Sequence, residues 1–201
     1  MLKIYHSQGA RSLRVLWLCE EMGVPYETAE ASFFKPSEEF SVINPLRTVP
    51  AMQDGDVRMI ESVAMMLYIM AKYGPTDLEV KPSEPGYSDY LQYLIFGEAG
   101  LAAYGNPLVA TRFLAPAEQK QNFTADYLKG AILKRLEFVG ERLGGKPYVA
   151  ANRFTAADIS IAYIATGAKF AGIEDEIPAT VKAYVANLQQ RPAFQRAAAV
   201  K

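Results

Sequence analysis

The run Asn44-Pro45-Leu46-Arg47-Thr48-Val49-Pro50, with Glu61-Ser62 further on, constrains this chain more than any other stretch. Pro50 falls where a loop gives way to a strand, and a proline has no N–H to give a sheet ladder. The X-Pro bond is also the one kind of peptide bond that reaches cis cheaply. A cis Val49-Pro50 bond turns the Val49 N–H and C=O outward, where an extended peptide can pair with them as an added strand. Asp54-Gly55 reads as a hairpin turn and Arg58-Met59-Ile60 as the return strand. Glu61-Ser62 sits where that strand yields to a helix, whose first N–H groups are unpaired and whose dipole favours an anion. A main-chain clamp beside an anion cradle suits a small peptide carrying carboxylates. Each half also has a plain structural role, since a proline can simply end a turn and a serine ahead of a helix can simply cap it.

Composition removes several alternatives. At 201 residues the chain can bury a substantial core in one large domain or two small ones. The net charge is −1, from 21 basic and 22 acidic residues that are well mixed, so there is neither a basic stripe for nucleic acid nor a polybasic membrane anchor. No apolar run approaches the roughly 20 residues that span a bilayer. The opening Met1-Leu2-Lys3-Ile4-Tyr5 is too short and too strand-like for a signal peptide, and a cytoplasmic location is expected. Cys19 is the only cysteine and His6 the only histidine, which excludes an intrachain disulfide and a multi-cysteine or histidine-rich metal site within one chain. A Ser-His-Asp triad on His6 stays open, but the G-x-S-x-G elbow is absent. The nucleophile is expected to arrive with a cosubstrate.

The pattern along the chain predicts two parts. Leu2 to His6 is a strand, and Ser7 to Arg11 a loop. Ser12 caps a mostly buried helix to Met22, closed by Gly23 and Pro25. A strand over Tyr26 to Ala31 and a short helix from Pro36 to about Ile43 follow. Hairpin strands at 51–53 and 57–60 and a helix from Ser62 to Tyr73 complete a βαβαββα order. Residues 76–86, with Pro82, Pro85 and Gly86, read as a linker between domains at 1–75 and 87–201. The rest is helical: Ser88 to Tyr104, Ala117 to Leu143, Ile159 to about Ala168, and Pro178 to Gln190, with a short helix possible after Pro192. Thr155 and Asp158 have the spacing of a capping box rather than of a catalytic pair, at the head of a helix apolar nearly all round.

With these segments in order, the chain resembles the cytosolic glutathione S-transferases, in particular bacterial Ser-type members. The matching residues are Arg11-Ser12-Leu13-Arg14-Val15-Leu16-Trp17-Leu18-Cys19-Glu20-Glu21-Met22, then Asn44-Pro45 with Val49-Pro50-Ala51-Met52, then Glu61-Ser62, then Phe154-Thr155-Ala156-Ala157-Asp158-Ile159. The resemblance implies an α/β plus all-α fold, in which an N-terminal thioredoxin-like domain precedes a C-terminal helical bundle. It implies a detoxifying transferase that uses glutathione as cosubstrate, with no tightly bound cofactor and no metal, working as a homodimer. By the same resemblance Val49 and Pro50 pair with the cysteinyl unit of glutathione and Glu61 and Ser62 hold its γ-glutamyl end. Thr48, flanked by Arg47, stands where a lysine or similar group often faces the glycine carboxylate. At the catalytic position Ala10 replaces the first serine of the Ser-Arg-Ser-x-Arg pattern, and Arg11 occupies the slot of the beta-class cysteine. Ser12 is then the expected thiolate donor, with Ser7, Tyr5 and Arg11 as alternatives.

Glutathione brings its own thiol, which is only a few per cent ionised near pH 7. Lowering its pKa by about 1.5 units requires roughly 2 kcal/mol of thiolate stabilisation. One charge-assisted hydrogen bond, worth about 1.5–3 kcal/mol, is the right size, and a helix terminus adds to it. The acceptor is expected to be a small hydrophobic electrophile in an apolar pocket walled by His6 to Gln8 on one side and Tyr104, Asn106 and Phe113 on the other. Two rival readings remain: a specialised glutathione-dependent lyase or etherase acting on aryl ethers, and a non-catalytic protein that binds glutathione or hydrophobic ligands.

Overall fold

The computed structural model describes residues 1–32 and 35–201. The chain divides into two compact units, Met1–Glu79 with Gln190–Lys201, and Val80–Gln189.

Four strands form the sheet of the first unit among the described residues: β1 (Leu2–His6), β2 (Tyr26–Glu30), β3 (Ala51–Asp54) and β4 (Val57–Ile60), in the order β2-β1-β3-β4. β1 runs parallel to β2, and β3 is antiparallel to both β1 and β4. Helices α1 (Ser12–Met22) and α3 (Ser62–Tyr73) pack on each other, while α2 (Glu38–Ile43) precedes β3. Strand alternation sorts the core. Tyr5 points to the α2 side, its ring 5.4 Å from that of Phe40, in a cluster with Ala10, Ala31, Val49 and Ala51. Leu2, Ile4 and His6 take the opposite face, and α1 buries every residue from Ser12 to Cys19. Gly23 closes α1 at φ 67°, a left-handed conformation that glycine adopts freely. Burial pushes the Cys19 thiol up to about 12, which leaves it inert near neutral pH.

The second unit is helical. α4 (Tyr87–Phe96), a π-helical turn at Gly97–Ala102 and α5 (Ala103–Leu114) form one continuous run. Gly97 is required there, because a Cβ would collide with Ser160. α6 (Phe123–Leu143) packs on α5, and α7 (Ala156–Ala162), buried throughout, packs on α4. α8 (Ile164–Ala171) and α9 (Ala179–Gln189) complete the unit. The expected capping box is present at the head of α7. Asp158 accepts the Thr155 N–H and hydroxyl at 2.8 and 3.1 Å, and also the Val149 N–H and Tyr184 hydroxyl.

Several boundaries differ from the sequence expectation. The helix expected to stop at Tyr104 continues to Leu114, with Pro107 tolerated in the second turn of α5. The helix expected from Ala117 begins at Phe123, because the Asn122 side chain caps it by accepting the Ala125 N–H at 2.9 Å. The apolar helix from Ile159 is two helices, joined at Tyr163. Finally α10 (Pro192–Ala199) belongs with the first unit rather than with the helices that precede it. Among the described residues no helix is long and apolar enough to cross a membrane.

Candidate active site

Sheet register brings three distant segments together. Tyr5 pairs with Ala51, and Ala51 with Ile60. Adjacent strands lie about 4.8 Å apart. The residues just beyond this rung, His6 at the end of β1 with Ser7 after it, Val49-Pro50 ahead of β3 and Glu61-Ser62 after β4, therefore share one end of the sheet. The N-termini of α1 and α3 open at that same end.

The Val49-Pro50 peptide is cis. Val49 buries its side chain in the Tyr5 cluster, and among the described residues no main-chain group bonds its N–H or C=O. Asn44 shapes the preceding loop. Nearly fully buried, it donates from Nδ2 to the Thr48 carbonyl at 2.7 Å and hydroxyl at 3.1 Å, and accepts the Leu46 N–H at Oδ1. Thr48 and Arg47 stay exposed at the loop tip, Arg47 with φ 55°. Glu61, exposed at φ 72°, is the residue that precedes α3. Ser62 is the first helical residue and not a cap. Its Oγ accepts from Arg14 Nη1 at 3.2 Å, and Arg14 is itself 1% exposed.

The four candidate thiolate donors separate clearly. Ser12 does not cap α1, as Arg11 takes that position. Ser12 is 0% exposed, with Oγ 2.8 Å from His6 Nδ1 and 3.4 Å from the Ser7 carbonyl, so it faces the interior. Tyr5 lies on the opposite face of the sheet and donates to Glu39 Oε1 at 2.9 Å; burial, then that bond, raise its pKa. Arg11 is half-buried at the head of α1. Ser7 is half-buried in the turn before α1, and its carbonyl accepts the Ala10 N–H at 3.0 Å. Among the described residues its hydroxyl has no partner.

His6 does not form the open wall that the sequence led us to expect. It is 3% exposed, and Nε2 lies 3.3 Å from the Val200 carbonyl. Burial pushes the ring below its usual range against the pull of that carbonyl, so it is neutral near pH 7. Gln8 is exposed in the first unit. In the second unit Tyr104 is half-buried, with the Arg135 guanidinium stacked 3.7 Å above its ring. Phe113 is exposed and meets Phe170 edge-on. Among the described residues no group of three or more His, Cys, Asp or Glu side chains is placed to hold a metal ion.

Sequence reasoning missed the Asn44 clamp, the Arg14 prop and the His6–Ser12–Val200 chain. Two of these carried a signal. An Asn before Pro readily bonds its own backbone two residues on, and an arginine within the apolar run Leu13 to Leu18 must find a partner when buried.

Comparison with known proteins agrees with this architecture. Residues 5–77 match the N-terminal domain of glutathione S-transferases and residues 105–196 the C-terminal domain. Glutathione S-transferase 3 of Schizosaccharomyces pombe is 25% identical over 98% of this chain and 87% of its own length. Glutathione S-transferase 1 of the same yeast is 29% identical over 86% and 80%. Among solved structures, the glutathione transferase URE2P6 of Phanerochaete chrysosporium, in complex with oxidized glutathione, superposes with a TM-score of 0.85 at 25% identity, covering 98% of this chain and 94% of that one. With both halves of the chain matched in order, it belongs to the glutathione S-transferase family of enzymes.

Proposed function

We propose that this protein transfers the thiolate of glutathione to a small hydrophobic electrophile, with Ser7 as the thiolate donor. The observation that carries the reading is the sheet register, which sets Ser7, Val49-Pro50 and Glu61-Ser62 side by side at one end of the sheet. In this reading the cysteinyl main chain pairs with Val49 beside Pro50. The γ-glutamyl carboxylate meets Ser62 and the N-terminus of α3, Glu61 takes the amino group, and Thr48 with Arg47 faces the glycine carboxylate. The sulfur then falls at the Ser7 turn, where the hydroxyl and the opening of α1 favour the charged form. Gln8, exposed beside that turn, is proposed to contact the acceptor. Ser7 replaces Ser12 in this role because Ser12 is buried and bonded to His6. URE2P6, which carries glutathione in its oxidized form, supports glutathione as the cosubstrate.

The test compares Ser7→Ala with Ser12→Ala. Ser7→Ala is expected to raise the pKa of bound glutathione, read from thiolate absorbance. It should also cut turnover of a chloronitrobenzene roughly tenfold or more, the scale of one charge-assisted hydrogen bond. An unmoved thiol pKa removes Ser7 as donor. Glutathione binding without turnover of either a chloronitrobenzene or an aryl ether panel favours a binding protein, and turnover of ethers alone favours the lyase. The expected homodimer in the cytoplasm is checked by light scattering and by fractionation.

A further inference from the structure

Asn44 is buried beneath the loop that leads into Pro50, and the mechanism above gives it no part. Its main chain is engaged on both sides. The N–H donates to the Phe40 carbonyl at 2.8 Å, which ties the residue to the end of α2, and the carbonyl accepts the Arg47 N–H at 2.9 Å. The side chain spans the rest of the loop. It accepts the Leu46 N–H at 3.0 Å and donates to the Thr48 carbonyl at 2.7 Å and hydroxyl at 3.1 Å. These partners fix which end of the amide is which. An N–H only donates, so Oδ1 faces Leu46. A carbonyl only accepts, so Nδ2 faces Thr48, where its two hydrogens suffice for two acceptors.

Two orientations follow. The Thr48-Val49 peptide is trans, and in a trans peptide the C=O and N–H point in opposite directions within one plane. With the Thr48 carbonyl drawn in to Asn44, the Val49 N–H is turned away from it. The Thr48 hydroxyl accepts from Asn44 and so keeps its own proton for an acceptor elsewhere. Among the described residues neither proton has an acceptor.

We propose that Asn44 is a positioning residue for glutathione, aiming the Val49 N–H at the cysteinyl carbonyl and the Thr48 hydroxyl at the glycine carboxylate. The inference rests on the reading of Val49 and Thr48 as glutathione contacts, and adds the buried group that orients them. Asn44 then acts on binding and leaves the chemistry at Ser7 alone.

Asn44→Ser in the full chain tests this. A serine hydroxyl still accepts the Leu46 N–H two residues on, which keeps the turn, but is too short to reach Thr48. Affinity is measured by calorimetry for glutathione and for γ-glutamylcysteamine. The second ligand keeps the γ-glutamyl end and the thiol but has neither the cysteinyl carbonyl nor the glycine. The substitution should weaken glutathione roughly tenfold, the scale of one hydrogen bond to a charged group. It should weaken γ-glutamylcysteamine by less than about twofold. At saturating glutathione kcat should also stay within about twofold, since Ser7 and the head of α1 are untouched. A merely structural asparagine would lower Tm and either leave both affinities unchanged or weaken both ligands alike, and each of these results overturns the inference. If Asn44→Ser does not fold, hydrogen exchange in the unaltered protein decides. The Asn44 side-chain amide should be protected with or without ligand, and the Val49 amide only when glutathione is bound. A Val49 amide protected in the free protein, or an unprotected Asn44 amide, overturns the inference. The unaltered protein also tests the underlying reading on its own. Equal affinity for the two ligands rejects Val49 and Thr48 as contacts, and the inference with them. A preference for glutathione that survives Asn44→Ser rejects the role of Asn44 alone.

Discussion

Ser62 owes its orientation to a buried arginine. Arg14 donates to Ser62 Oγ, so the serine spends an oxygen lone pair inward and keeps its own proton for an acceptor ahead of α3. That acceptor is proposed to be the γ-glutamyl carboxylate, which also sees the unpaired N–H groups of the helix. Ser62→Ala should therefore raise KM for glutathione roughly tenfold while leaving kcat nearly unchanged, because one hydrogen bond to a charged group is lost from ground state and transition state alike. A fall in kcat with KM unaltered would place Ser62 in the chemistry instead. The sequence made Val49, Pro50, Glu61 and Ser62 conspicuous because each sits at a junction between elements, where proline and the start of a helix leave marks. It left the thiolate donor among four residues, since Ser7 and Ser12 differ only in which way they face. That difference is set by His6, whose partner Val200 lies at the other end of the chain. A contact between such distant positions has no local signature.

At the scale of elements, one polar cluster pins α3 to the β3–β4 hairpin. Asp54, at the end of β3 and 6% exposed, accepts from Tyr68 at 3.0 Å, Lys72 at 2.6 Å and Tyr73 at 2.8 Å, all from the last two turns of α3. Burial alone would raise the Asp54 pKa, but the bonds from Lys72, Tyr73 and Tyr68 outweigh it and hold the carboxyl below its usual range. The sign follows from linkage. A carboxyl with a lowered folded pKa stabilises fully above its unfolded value of about 3.9, and the benefit drains away as pH falls through the folded value. Asp54→Asn should lower stability by roughly 1 kcal/mol near pH 7, the low end for a charged hydrogen bond because the lysine end lies in water. The two proteins should start to converge as pH falls below about 4 and meet only beneath the lowered folded value. Equal denaturant midpoints at pH 7 would show that the cluster contributes nothing. Hydrophobic period, glycine stops and the Asp54-Gly55 turn made the strands and α1 to α3 legible beforehand. Helix starts in the second unit were less so. Pro116-Ala117 looks like a first turn, yet the side chain that satisfies free N–H groups belongs to Asn122. Pro107 looks like a stop, yet α5 carries it.

At the scale of the molecule, the first unit is built from both ends of the chain, which leaves it at Glu79 and returns at Gln190. Nothing in the sequence between Pro178 and Lys201 marks that return, since α9 and α10 have similar composition and only the residues they meet tell them apart. Its consequence is measurable because the only tryptophan sits at the join. Trp17 is 1% exposed and rests against Phe194, so its emission reports α1 beneath α10, whereas most of the helical ellipticity comes from the other unit. A chain ended at Gln189 loses Phe194, the buried Ala193 and Ala197, the two arginine pairs to Glu20 and Glu21, and the Val200 bond. That uncovers one side of α1 at a cost of roughly 3 kcal/mol or more, the scale of deleting a core aromatic. The truncated protein should show a red-shifted tryptophan emission and a tryptophan-detected melting point well below the one followed by far-UV circular dichroism. Phe194→Ala should give the same separation at about half the size, since its side chain is only partly buried. Coincident transitions at the full-length temperature would mean that α10 does not hold the first unit together.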